Sequence, residues 1–220
     1  MKRINYLLLL AILGFTTSYA KSGDYETAMQ NSIETMYKSQ TVADFLNVAN
    51  TFDRIGAAEK DKWLPYYYSA YSYIMMSTIE EDKTLVDGYL DQAEMQIDKS
   101  AKLDGDKVEL LALRAFASMM RIGVDPATRG QEYSMKSVGF LQQAMQLNNS
   151  NPRVVLMMGQ MQYGTAQFFG SGTDEACATF STAKDLFEKQ EASNLGLLPT
   201  WGKPQAESML KRCGETTNDN

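Results

Sequence analysis

The chain has no histidine, two cysteines and five prolines, and it shows no cluster of lysine and arginine. Each scarcity narrows what it can do. Without histidine there are no imidazole metal ligands, no Ser-His-Asp or Cys-His nucleophile pairs, and no ordinary histidine acid–base chemistry. Two cysteines cannot supply a four-thiolate zinc site within one chain. With a formal net charge of −6 and no basic patch, the chain lacks the electrostatic term that drives binding to nucleic acid or anionic lipid. We therefore expect no nucleic-acid partner. Long apolar runs are also missing beyond the first twenty residues, so we expect no membrane span after processing.

Those first twenty residues form a pattern of their own. Lys2 and Arg3 precede an apolar stretch from Tyr6 to Phe15, and Ser18 and Ala20 are the small residues that a signal peptidase requires. The expected boundaries are a signal peptide over 1–20, a single domain over 21–213 and a disordered tail over 214–220. The protein is then periplasmic or secreted.

The remaining chain reads as all-α. Segments rich in Ala, Leu, Met, Gln, Lys and Glu place apolar residues three and four apart, as in Phe45, Val48, Ala49, Phe52 and Ile55, or Leu90, Ala93, Ile97 and Ala101. The helices form pairs, and the pairs repeat. When "WLPYYYSAYSY", "VELLALRAFAS" and "PRVVLMMGQMQ" are aligned, Ala70, Ala115 and Gly159 fall at one register, about 45 residues apart, and Ala206 holds that slot in a looser fourth copy. A short side chain there lets two helices cross closely.

Phe52, Trp63, Tyr66, Ala70 and Tyr73, with Ala93, Ile97, Leu103, Ala144, Leu147 and the "NNSNPR" turn, resemble the tetratricopeptide (TPR) family. That family's repeat is 34 residues. The extra length here is expected in longer helices and in loops such as "STIEEDKT" and "IGVDPATRG". HEAT-type hairpins, with their longer period, are the alternative. The resemblance implies helical hairpins stacked in a short right-handed solenoid. "WLPYYY", "NPR", "FFG" and the late "PTWG" also resemble small exported TPR-like proteins of Bacteroidetes, which implies a periplasmic helical-repeat protein.

Several local motifs have two readings. "FFGSGTDEAC" has the glycines of a phosphate loop, but Asp174 and Glu175 would compete with phosphate for the same amides. The simpler reading is a corner, with Gly170 ending one helix in the left-handed conformation and Thr173 or Asp174 capping the next. "LDGDKVE" begins like a calcium loop, but Ala115 stands where the bidentate glutamate belongs. Asp104 and Asp106 are read instead as a turn and an N-cap, and no metal or cofactor is expected. Cys177 and Cys213 flank a turn, Ser193 to Thr200, lying close to midway between them. Helices folding back from it bring the two thiols level, which predicts a disulfide in an exported protein. A redox-active or intermolecular thiol is the rival reading.

The binding surface is expected on the concave side. Tyr67 and Tyr71 share a helical face and are read as an exposed pair. Arg114, Arg121 and Arg153, with Arg129 from an expected loop over Arg121–Tyr133, are read as cations able to take an acidic peptide or carboxylate. The functional reading is a non-enzymatic exported scaffold for a protein or peptide partner. The alternative is a small-ligand binder, or an enzyme with a carboxylate, Tyr or Arg site in the groove.

Overall fold

The computed structural model describes residues 22–193 and 195–216. The expected signal peptide lies outside them. The described residues form helices α1 (Ser22–Lys38), α2 (Val42–Ala58), α3 (Leu64–Ile79), α4 (Lys83–Lys102), α5 (Lys107–Val124), α6 (Pro126–Leu147), α7 (Pro152–Phe169), α8 (Asp174–Glu191) and α9 (Lys203–Thr216). α9 thus runs past Cys213 into the span expected as a tail.

Polar caps and prolines punctuate the chain. Thr41 and Asp44 form a reciprocal capping box at the start of α2, each side chain accepting from the other's amide at 3.1 Å. Asp82, Asp106, Asp125 and Asn151 cap α4, α5, α6 and α7 by accepting amide hydrogen bonds within the first turn. Pro65, Pro126 and Pro152 sit in first turns, where no amide donor is needed. Gly170 closes α7 with φ 64°, and the Ser171 amide reaches back to the Ala166 carbonyl at 2.9 Å. The "FFGSG" corner is therefore a helix end, as its acids suggested.

One expected loop is helical. Arg121–Tyr133 is interrupted only at Asp125, because that residue caps α6 while Pro126 begins it. The residues beyond a 34-residue repeat go into helix length: α4 has 20 residues and α6 has 22.

The helices stack as consecutive hairpins in two layers. α1, α3, α5 and α7 touch in sequence, while α2, α4, α6 and α8 each pack against both chain neighbours. α3 is buried nearly all round. The small-residue register is the close-crossing line: Ala70, Ala115, Gly159 and Ala206 are all buried. A Cβ on Gly159 would stand 2.7 Å from the Phe180 ring of α8. At the equivalent crossing, Ser137 of α6 donates to the Ala115 carbonyl of α5 at 3.1 Å. A second core, around Leu156, Phe180, Phe187 and Ala206, joins α7, α8 and α9. Cys177 of α8 and Cys213 of α9 form a disulfide with Cα atoms 5.9 Å apart. Closing that loop stabilises the fold by about 3–4 kcal/mol in the chain-entropy account.

Candidate functional site

Arg153 was expected to face a groove, but it is buried. Its side chain is 2% exposed and forms an ion pair with Glu109, itself 7% exposed. Arg153 opens α7 and Glu109 opens α5, at equivalent positions of successive repeats. Glu109 accepts Nε and Nη2 of Arg153, Nδ2 of Asn151 at 2.6 Å, and the Tyr67 hydroxyl at 3.0 Å. The remaining Arg153 nitrogen, Nη1, donates to Gln190 at 2.9 Å. Burial alone would lower the Arg153 pKa, but the Glu109 charge and hydrogen bonds outweigh it and hold the guanidinium above its usual value. Burial, then the Glu109 charge, drive the Tyr67 hydroxyl well above the ordinary phenol range. With these partners satisfied, the knot is structural.

The expected exposure of Tyr67 and Tyr71 is overturned for a long-range reason. The segment between α8 and α9 folds back across α1, α3, α5 and α7. Trp201 stacks on Tyr71 with ring centroids 5.0 Å apart, lies beside Phe116 at 5.9 Å, and has the Arg153 guanidinium 5.8 Å from its ring. Its indole N–H donates to the Tyr67 hydroxyl at 2.8 Å. Tyr68 donates to the Leu197 carbonyl at 2.8 Å, and Tyr37 pairs with the Thr200 hydroxyl at 3.0 Å. The aromatic face of the inner layer is thus covered by the chain's own strap.

Arg114 and Arg121 do not offer unpaired charges to a ligand either. They bind the acidic stripe of α4: Arg114 pairs with Glu94 at 2.8 Å and Asp98 at 2.5 Å, and Arg121 with Asp87 at 2.7 Å and Asp91 at 2.5 Å. Arg129 adds a second contact to Asp87. Burial acts to raise the Asp87 pKa, but the hydrogen bonds and charges of Arg129 and Arg121 outweigh it and hold the carboxyl below the ordinary range. The signal was in the sequence: Asp87, Asp91, Glu94 and Asp98 recur at four, three and four residues, one face of a helix.

What stays open lies elsewhere. A groove of about 460 Å³ between α1 and α2 is lined by polar side chains such as Asn31, Thr35, Lys38 and Asn47. Another, of about 420 Å³, lies where α4, α5 and α6 meet, with Leu110, Leu111 and Leu147 as apolar lining and Lys107 and Arg114 beside them. At the α7 corner Phe168 and Phe169 are 83% and 74% exposed, their rings edge-on at 5.0 Å. Among the described residues no cluster of acidic or cysteine side chains is arranged to hold a metal ion, and no helix is long and apolar enough to cross a membrane.

The structure is similar to the HusA haemophore from Porphyromonas gingivalis, with a TM-score of 0.75 and 27% sequence identity over 93% of this chain and 97% of that one. No protein-family model and no curated protein sequence matches. What the structure shows of the TPR resemblance is the order of stacked helical hairpins. The likeness to a Bacteroidetes protein stands.

Proposed function

We propose that this chain is an exported, non-catalytic carrier of a flat, largely apolar tetrapyrrole of the haem type. The supporting observation is the near-whole-chain likeness to a haemophore. Export is supported by the disulfide, since such bonds persist in oxidising compartments, and by the leader-like pattern ending at Ala20. The reading moves from the peptide scaffold expected first to its small-ligand alternative.

The residue content sets how such a cargo is held. With no histidine there is no imidazole to bind iron axially. Tyr67, Tyr68 and Tyr71 lie buried beneath the Trp201 strap, so their hydroxyls do not face a cargo on the surface. Recognition then rests on apolar contact with the ring faces and on pairing of the peripheral carboxylates. A cargo held in this way does not depend on its iron. Titration of the purified protein with haemin and with metal-free protoporphyrin, followed in the Soret band, should show saturable binding of both with comparable affinity. Binding of neither, or of haemin alone, refutes the reading.

A second reading, capture of a protein partner, is favoured by Phe168 and Phe169. Two aromatic rings this exposed at a corner match the residue types that anchor protein interfaces.

A further inference from the structure

The groove where α4, α5 and α6 meet pairs apolar lining with a cation that the fold does not use. Leu110 forms its buried floor, and Leu111 and Leu147 line it. Leu147 ends α6 and is 58% exposed, whereas Leu103, which ends α4 at the equivalent place, is half-buried. More than half of the Leu147 surface therefore faces water on the groove wall, where a ligand can cover it.

Lys107 stands at the first position of α5 and is exposed. A cation there opposes the helix dipole, so helix stability does not account for it. No carboxylate of the described residues pairs with its ammonium. Asp106 beside it is engaged in capping, accepting the Val108 and Glu109 amides at 2.8 and 3.0 Å. Arg114, two turns further along the same face, already has its charge answered by Glu94 and Asp98 and contributes wall more than charge. Gln143 and Gln146 of α6 offer amides on the opposite side. The volume, about 420 Å³, falls within the range of small-molecule sites. The α1–α2 groove has a lysine too, but Asp44 shares that groove and Val48 is the one large apolar side chain in its lining.

Resting on the carrier reading above, we propose that the α4–α5–α6 groove seats the flat apolar cargo, with one cargo carboxylate paired to the Lys107 ammonium. The test uses the full-length mature protein, metal-free protoporphyrin and its dimethyl ester, which lacks the anionic ends. Leu147→Glu places a carboxylate against the ring and should weaken both probes by about tenfold or more. Lys107→Gln should weaken the free acid by about three- to tenfold and leave the ester unchanged. Lys38→Gln, in the α1–α2 groove, should match the unmodified protein. Both groove side chains are exposed, so circular dichroism should show the variants folded. If the unmodified protein binds the porphyrin and the two groove variants bind equally well, the site is wrong and the carrier reading stands. Weakening by Lys38→Gln alone moves the site to the other groove and overturns this one. If the unmodified protein binds neither probe, the carrier reading fails and the site fails with it.

Discussion

Replacing Glu109 by Gln asks how much of this fold hangs on one buried charge pair. The substitution keeps the shape and removes the charge. Arg153 is 2% exposed, so its guanidinium cannot recover water when the carboxylate is lost. Breaking one side of such a pair costs about 3–5 kcal/mol, because the other charge remains buried without compensation. The Tyr67 hydroxyl and the Asn151 amide also exchange a charged acceptor for a weaker one. For a chain of this size the loss lowers the melting temperature by roughly 6–20 °C. Arg153→Met should cost a similar amount for the mirror reason. The double variant, Glu109→Gln with Arg153→Met, removes both charges and should be more stable than the sum of the two single losses allows. Urea and thermal unfolding followed by circular dichroism measure the cycle. If Glu109→Gln melts within a degree or two of the unmodified protein, or if the double variant shows the sum of the single losses, the pair is not the buried, coupled element described here.

Gly159→Ala should destabilise by about 1–3 kcal/mol, since its Cβ meets the Phe180 ring at 2.7 Å. Gly164→Ala, on the same helix with nothing within 4 Å, should instead stabilise by about 0.5–1 kcal/mol. Equal melting temperatures for the two would show the close-crossing register to be wrong. Asp87 has a depressed folded-state pKa, so its contribution is present above the unfolded carboxylate value, about 4, and is lost as pH falls through the folded value. Asp87→Asn should therefore be less stable than the unmodified protein at pH 7, with the gap closing below about pH 4. A gap that stays constant with pH would show that the Arg121 and Arg129 contacts do not depend on the charge.

The features legible in the sequence were those set by near neighbours or by the repeat. Ala70, Ala115 and Gly159 marked the crossing line because helix spacing is local and the repeat supplies the register. Asp106 and Gly170 were readable because caps act within a turn. The pairing of Cys177 with Cys213 followed from one hairpin. Tyr67 and Tyr71 were misplaced because what covers them, Trp201, lies more than a hundred residues away and no periodicity announces it. The arginines were misread for want of looking across the hairpin: Arg114 and Arg121 face α4's acidic stripe, and Arg153 faces the glutamate at its own repeat position. The candidate groove went unread because it is made by three helix ends that only the packing brings together.

Trp201 and its strap also change how the array can come apart. A simple helical-repeat protein is held by contacts between adjacent repeats, so its ends can fray while its middle stands. Here hydrogen bonds join Tyr37, Tyr68 and Tyr67 to Thr200, Leu197 and Trp201 across 163, 129 and 134 residues. The disulfide fixes the far end of the strap by tying α9 to α8. Peeling α9 away therefore uncovers the aromatic layer from α1 to α7 at the same moment. These ties predict a closed clasp that unfolds in one cooperative step, where a row of independent units would fray from its ends.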